Sequence, residues 1–540
     1  MKTVLSSDIM KLSDAEACAA VGSKELMLRA GRAMVKAAMD EGYMRPGDRA
    51  AVVCGAGNNA GDGYVIAEEL VLRENIAVDI YRTSEKFSED GLYYYNRATA
   101  AGATDAYGIG AGGARELPAG YAVVFDCIYG MGYKGRVSGA AAAAIAAINA
   151  ARGRRLPDED PQENRVTRVV SADLNSGLCA DSGLGGICVI SDLTVAVQAF
   201  KPGHFLGRAK DVIGKKIAAD IGIASVGEEY HLVEKEDLVG VIPERDNYSH
   251  KGKYGYDALI GGSVACSGAV RLAAMANAAM RSGAGVVRVG APASVCPLII
   301  PQILESTLFP LPDKDGNIEF SSDAVDKLAS GMKSITFGMG VGTGDGARKT
   351  LLRLLNYYTG RLVIDADGLN ILANELKDDP RLLDSSSCEN IIITPHLGEF
   401  SRLTGKPVSE IENNPIAEAA EFAYAHGVTV LLKGPTTVVV GSRGIELLSG
   451  SRTDNGFDEV GLIAEAHEPK TGLEIYLIDA GCAGMATAGS GDVLSGVLAA
   501  LFGYIGDPIV TACAAAWIAG RAGERAEKKY GSVSMIASDT

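Results

Sequence analysis

Two glycine-and-aspartate loops lie far apart in this chain, and each has the composition of an anion site with a carboxylate beside it. Near the start runs Cys54-Gly55-Ala56-Gly57-Asn58-Asn59-Ala60-Gly61-Asp62-Gly63; near the end runs Gly484-Met485-Ala486-Thr487-Ala488-Gly489-Ser490-Gly491-Asp492. Both read as helix openings, where free backbone N–H groups and the helix dipole attract anions. In the first loop the glycines let the backbone approach a ligand, and the Asn58-Asn59 amides suit a diphosphate or a cation. Its G-x-G-x-x-G/A pattern alone is weak, because many such matches are ordinary tight turns. In the second, the amides at Gly489, Ser490 and Gly491 can hold a phosphoryl group while Asp492 takes a proton from a substrate hydroxyl. The plainer alternative there is a helix start with a polar cap. Two such loops imply two reactions on phosphate-bearing ligands.

Further candidates stand at the ends of apolar runs. Asp126 precedes Gly130-Met131-Gly132-Tyr133-Lys134-Gly135-Arg136, and Asp173 opens Asp173-Leu174-Asn175-Ser176-Gly177. Oxygen atoms of Asn59, Asp126 and Ser176 suit a hard cation. A lone Asp in such a place is more often a cap, but several at the strand ends of one sheet favour a site. In the second half, Gly338-Met339-Gly340-Val341-Gly342, Asp365-Ala366-Asp367-Gly368, Thr394-Pro395-His396 and Lys433-Gly434-Pro435-Thr436-Thr437 each follow a strand. No Walker A pattern occurs, so a nucleotide must be held without a P-loop. His396 alone would be a structural histidine; its Pro-His-Leu-Gly-Glu setting favours ligand contact. Cys266 and Cys482 read as buried small residues.

These residues need a sheet to align them. Short apolar runs at Ala50–Cys54, Ala77–Tyr81, Ala122–Asp126, Val169–Asp173 and Leu193–Val197 alternate with helix-length segments. That alternation predicts a parallel sheet covered on both faces, with ligands at the carboxyl ends of its strands. A polar break at Val226–Lys235 precedes a second series at Asp257–Ile260, Val286–Val289, Ser334–Phe337, Leu362–Asp365, Ile391–Ile393 and Val428–Leu432. The chain of 540 residues is too long for one core, and the expected domains are 1–228 and 229–540. The stretches 152–165 and 452–470 read as polar loops, the latter an extended hairpin. Ser267 is expected to begin an alanine-rich helix ending near Arg281.

The formal net charge of −16 argues against nucleic acid as a partner. The ten cysteines are scattered without C-x-x-C pairs, which fits reduced thiols and a cytoplasmic setting. No segment reads as a signal peptide or a membrane span.

Residues Ser6 to Ile223 resemble the YjeF N-terminal family of NAD(P)H-hydrate epimerases, a Rossmann-like α/β fold. The matching pieces are Leu28-Arg29-Ala30-Gly31-Arg32-Ala33, the Asn58-Asn59 loop, Asp126 to Gly135, Asp173 to Gly177 and Lys201-Pro202-Gly203. The resemblance implies that Asn58, Asn59, Ala60, Gly61, Asp62, Gly130 to Arg136 and Asp173 meet the substrate. It implies potassium on Asn59, Asp126 and Ser176, and Asp173 at the reacting ring. Ala60 replaces a usual glycine, which matters if the loop needs a positive φ there, and Asn175 replaces a proline.

Residues Tyr248 to Asp539 resemble the YjeF C-terminal family, ribokinase-like NAD(P)H-hydrate dehydratases. The resemblance implies that Ala269, Gly342, His396 and Asp492 contact the hydrated nicotinamide nucleotide. Lys433, Gly434, Pro435, Thr436 and Thr437, with Gly489, Ser490 and Gly491, would hold ADP or ATP, assisted by Mg2+. Asp-Ala-Asp-Gly replaces Asp-Ala-Asp-Ala, and Cys482 replaces an asparagine. The implied activity is repair of damaged cofactor: epimerisation of the hydrates NADHX and NADPHX, then nucleotide-dependent dehydration of the S form, with Asp173 and Asp492 as the catalytic carboxylates. A homo-oligomer is expected. The alternatives are a vitamin or sugar kinase fused to a nucleotide-binding module, and a first domain that only binds.

Overall fold

The computed structural model describes residues 1–106, 108, 116–157, 164–227, 229–242, 244–275, 279–442 and 472–540. They form two compact units, Thr3–Glu229 and Met1–Lys2 with Tyr230–Thr540.

The smaller unit is built on seven parallel strands. Their spatial order is Thr104–Asp105, Ala77–Arg82, Arg49–Cys54, Val123–Cys127, Arg168–Ala172, Ser191–Val197 and Ile213–Ala219. The central strands are buried on both faces, which explains why they read as unbroken apolar runs rather than alternating ones. The chain order reverses between Arg49–Cys54 and Val123–Cys127, which are direct neighbours. A reversal of this kind opens a crevice beyond the strand ends. Into it lead Gly55 to Gly57 and the helix Asn58–Glu74 from one strand and Ile128 to Arg136 from the other. The helix Ser23–Asp40 crosses Asn58–Glu74 at a glycine: a methyl on Gly31 would stand 2.5 Å from Val65 Cγ1. Both edge strands escaped the sequence reading. Thr104–Asp105 is only two residues long, and Ile213–Ala219 carries exposed Gly214 and Lys215 and half-buried Lys216.

The larger unit carries a mostly parallel sheet. From Tyr230–Leu232 it runs through Leu473–Ile478, Thr437–Ser442, Thr429–Leu432, Asn390–Ile393, Arg361–Ile364, Ser334–Phe337, Tyr256–Ile260 and Val286–Pro292 to Thr307–Leu311. Only Thr437–Ser442 is antiparallel to both its neighbours in this series. The helix Ser490–Tyr504 is buried from Val493 to Gly503, so its sequence shows no polar face. It is followed by Pro508–Tyr530, whose start is capped by Asp507 through Val510 N–H at 2.8 Å.

The helix expected from Ser267 spans Ser267–Ala274; Met275 leaves it with ψ 153°. The loop expected at 452–470 lies outside the described residues, as does the middle of 152–165. On the flanks of the latter, Leu156 N–H donates to Arg165 C=O at 3.0 Å. Among the described residues no helix is long and apolar enough to cross a membrane.

Candidate active sites

In the smaller unit the first loop is mostly the opening of a helix. Gly57 is the N-cap of Asn58–Glu74, so Asn58, Asn59, Ala60, Gly61 and Asp62 occupy its first turns. Ala60 is 2% exposed and has no positive φ, so the glycine usual in the family is not required by the backbone here. Gly61 lies against Met27 and Gly63 against Cys54 and Cys127, where side chains would collide. Asn59 is half-buried and its Nδ2 has no partner, while its Oδ1 lies beside Gly130. The loop after Val123–Cys127 leaves Gly132, Lys134, Gly135 and Arg136 exposed, and Tyr133 stacks on Tyr129 with centroids 4.7 Å apart.

Asp126 is fully buried. Its carboxylate accepts from Ser176 Oγ at 2.5 Å, Ser176 N–H and Ser171 Oγ at 2.9 Å, and Ile128 N–H at 3.3 Å. Burial pushes its pKa up against these bonds. None of the four donors is a cation. A buried carboxylate with no cationic hydrogen-bond partner among the described residues is a setting that a bound cation would compensate.

Asp173 is held on all sides. Its Oδ1 accepts from Lys201 Nζ at 2.5 Å and Val197 N–H at 3.2 Å, and its Oδ2 from Met131 N–H at 3.2 Å. Its backbone sits at φ 61°, an uncommon conformation for a residue with a side chain. Burial pushes its carboxyl up, but Lys201, helped by the Val197 N–H bond, outweighs it and holds it below the ordinary range. Asp62 goes the other way. Burial, then repulsion from Asp173 and Asp14, pushes its carboxyl well above that range. The environments of these two carboxyls thus drive their pKa values in opposite directions. Asn175, where the family has proline, is fully used: Nδ2 donates to Val189 C=O at 2.9 Å and Thr194 Oγ1 donates to Oδ1 at 2.5 Å.

In the larger unit Gly489 caps the helix Ser490–Tyr504 with φ 95°, and Ser490, Gly491 and Asp492 form its first turn. Ser490 Oγ is buried without a partner. A methyl on Gly491 would stand 3.6 Å from Lys433 Nζ and 3.9 Å from Asp365 Oδ2. Lys433 Nζ donates to Asp365 Oδ1 at 2.9 Å and lies 3.8 Å from Glu399 Oε2; Ser495 Oγ donates to Asp365 Oδ2 at 2.6 Å. Burial pulls the Lys433 ammonium down, but Asp365 and Glu399 outweigh it and raise it. Burial and the repulsion of Asp365 push Asp492 up to about 6, against the pull of Lys433. The turn, the cation and the carboxylates are therefore gathered at one place.

Around them, Gly342 N–H donates to Asp367 Oδ2 at 2.9 Å, and Ala269 Cβ faces Gly340. Gly434 and Pro435 are exposed, Thr437 is half-buried, and buried Thr436 donates through Oγ1 to Asp479 at 2.9 Å. His396 is the N-cap of Leu397–Thr404: its Nδ1 accepts from Gly398 N–H at 3.0 Å, and Glu399 returns a bond to His396 N–H at 2.9 Å. The histidine thus has a structural task, while its side chain stays 55% exposed. Cys266 is exposed and Cys482 half-buried, contrary to the expectation that both are buried. Each sits in or beside a loop leading to the site rather than under the sheet. Sequence reasoning did not single out Lys201, His204, Asp365, Asp367 or Ser495 as site residues. Lys201-Pro202-Gly203 and Asp365-Ala366-Asp367-Gly368 were visible as motifs, but only the fold brings their side chains to the two carboxylates.

Comparison with known proteins divides the chain in the same way. Residues 258–449 and 467–540 match a family model described as NAD(P)H-hydrate dehydratase, and residues 23–203 match the YjeF-related protein N-terminus. A bifunctional NAD(P)H-hydrate repair enzyme of Moorella thermoacetica is 30% identical over 504 residues, covering 91% of this chain and 86% of the relative. That of Escherichia coli strain K12 is 30% identical over 559 residues, covering 99% and 92%. Among solved structures, the ADP/ATP-dependent NAD(P)H-hydrate dehydratase from Bacillus subtilis, co-crystallised with ATP/Mg2+, is 25% identical with a TM-score of 0.45. It covers 57% of this chain and 94% of that one.

Proposed function

Because the chain belongs to the family of bifunctional NAD(P)H-hydrate repair enzymes, we propose that its smaller unit epimerises NAD(P)H hydrate and its larger unit dehydrates the S form with ADP or ATP. The observation that carries this reading is the gathering of Gly491, Lys433, Asp365 and Asp492 at one helix opening.

In the hydrate one ring carbon bears both a hydroxyl and the ring nitrogen. Asp173, ionised beside Lys201, takes the hydroxyl proton. The carbon–nitrogen bond breaks, and neutral Asp62 gives its proton to the nitrogen. The resulting aldehyde turns, the nitrogen re-adds to its other face, and both protons return. The step is an isomerisation with no net redox change. Potassium, when bound through Asn59, Asp126 and Ser176, supplies positive charge next to a buried carboxylate.

Dehydration needs a better leaving group than hydroxide. The amides of Gly489, Ser490 and Gly491 hold the terminal phosphoryl group at the helix start, and Lys433 meets its charge. Asp492 takes the proton as the hydroxyl oxygen bonds to phosphorus and the nucleotide leaves with the old P–O electrons. The ring nitrogen then expels phosphate, and loss of a proton from the neighbouring carbon restores the double bond. Among the described residues no three His, Cys, Asp or Glu side chains form a metal cage. Magnesium carried on the nucleotide phosphates needs none, and when bound it neutralises phosphate charge. The ten free cysteines fit a reducing, cytoplasmic setting.

The competing kinase reading ends with a stable phosphorylated product. Purified chain given S hydrate and ATP is expected to release inorganic phosphate and recover the absorbance of the reduced cofactor in equal amounts. Phosphorylated hydrate that persists would overturn the assignment.

A further inference from the structure

Lys201 is 1% exposed, an unusual place for a lysine. Its Nζ donates to Asp173 Oδ1 at 2.5 Å and to Val197 C=O at 2.9 Å. A second link joins the same two residues. Lys201 N–H donates to His204 Nδ1 at 2.9 Å, and His204 Nε2 lies 2.6 Å from Asp173 C=O. Nδ1 also lies 3.1 Å from Lys201 C=O, and the neutral ring that accepts at Nδ1 and donates at Nε2 ties the Lys201 backbone to the Asp173 carbonyl. Burial and the nearby Lys201 hold its pKa down to about 4, which keeps that tautomer across the neutral range.

The clasp has a chemical direction. Lys201 and Val197 occupy Oδ1, whereas among the described residues Oδ2 meets only the Met131 N–H of the loop Gly130 to Arg136, so Oδ2 keeps a lone pair on the side of that loop. The left-handed backbone at Asp173, φ 61°, is the conformation that the His204 bond to its carbonyl holds in place.

We propose that Lys201, with His204, is the positioning residue of the first site. It fixes Asp173 ionised and with Oδ2 turned to the ligand, and it acts through Asp173 without touching substrate. The proposal rests on the reading of Asp173 as the epimerase base. The titratable groups that face Asp173 are Lys201 and His204 from the segment after Ser191–Val197, Asp62 from Asn58–Glu74 and Asp14 from Ser7–Val21. Of these Lys201 forms the ion pair with Asp173. Removing it leaves only the Val197 and Met131 N–H bonds to favour the ionised form, against burial and two carboxyls that favour the protonated one.

The test uses the full chain. Epimerisation of R and S hydrate is followed without nucleotide from acid to alkaline pH in wild type, Lys201→Met and Asp173→Asn. The expected result for Lys201→Met is an acid limb moved up by about 1–3 pH units, with KM changed less than kcat. An unmoved acid limb would overturn the proposal, even if the rate falls. A second measurement needs no variant at Lys201: carbon-13 titration of aspartate carboxyls in the wild-type chain, with the Asp173 signal identified by its absence in Asp173→Asn. Titration below the ordinary aspartate range supports the clasp, and titration at or above that range contradicts it. Full epimerase activity in Asp173→Asn would instead sink the assignment of the base, a separate failure.

Discussion

Lys433 Nζ lies 2.9 Å from Asp365 Oδ1, so the cation best placed to meet a nucleotide phosphate already rests on a carboxylate that is 2% exposed. The carboxylate is buried, the lysine is half-buried, and Ser495 completes the pair. Removing one partner strands the other. We expect Lys433→Met to destabilise the larger unit by about 3–5 kcal/mol, because it leaves Asp365 buried and uncompensated. The double variant Lys433→Met/Asp365→Asn should regain most of the lost stability without regaining ATP binding. Thermal unfolding and calorimetric titration with ATP, compared across the three proteins, check both halves.

Two glycines of the same turn should fail in different ways. Gly489 has φ 95°, and a methyl there would come 2.5 Å from Leu272 Cδ1, so Gly489→Ala should lower stability by about 1–3 kcal/mol. A methyl on Gly491 finds ordinary contact distances to Lys433 and Asp365. Gly491→Ala should therefore keep its melting temperature within a few degrees and lose nucleotide binding, because the methyl occupies the place of the phosphate. Equal ATP affinity in Gly491→Ala and wild type would remove the phosphate from this turn.

Asp492 carries the pH dependence of the second reaction. Its pKa is raised to about 6 by burial first and by Asp365 second. As a base it works when ionised, so dehydration should decline as pH falls through about 6, and Asp492→Asn should lower kcat by about 10²–10⁴-fold. The stability effect has the opposite sense. The folded pKa lies above the unfolded one, so the folded chain binds more protons between them and loses stability as pH rises through that window. Asp492→Asn should hence melt higher than wild type above pH 6, with little difference near pH 4.

The fully buried carboxylate of Asp126 accepts four hydrogen bonds and faces no cationic donor. If potassium compensates it, wild-type epimerisation should rise with added KCl and fall when sodium or choline replaces potassium. Asp126→Asn should flatten that response and leave nucleotide-dependent dehydration of pure S hydrate unchanged.

Much of this was legible in residue order. The apolar runs at Ala50–Cys54, Ala122–Asp126 and Val169–Asp173 fall on central parallel strands because covering helices leave no polar face to interrupt them. The edge strand Ile213–Ala219 has one open side, so its lysines hid it. The helix opening expected at this loop is where Asn58–Glu74 begins, and Ala60 suits a helix better than the glycine usual there. The carboxylates Asp173 and Asp492 were visible from their turns. Lys201 was visible only as a member of a motif and Lys433 as a nucleotide-site candidate, but their pairings with Asp173 and Asp365, across 28 and 68 residues, are a property of the fold.

The most direct measurement supplies a mixture of R and S hydrate with ATP and follows recovery of the reduced cofactor in wild type, Asp173→Ala and Asp492→Asn. Wild type should convert the whole mixture. Asp173→Ala should recover the S portion at near wild-type rate and then slow to the spontaneous epimerisation rate, while Asp492→Asn should recover almost nothing. Full and rapid recovery by Asp492→Asn would contradict the claim that this carboxylate, beside a phosphate held at the helix opening, prepares the hydroxyl for transfer.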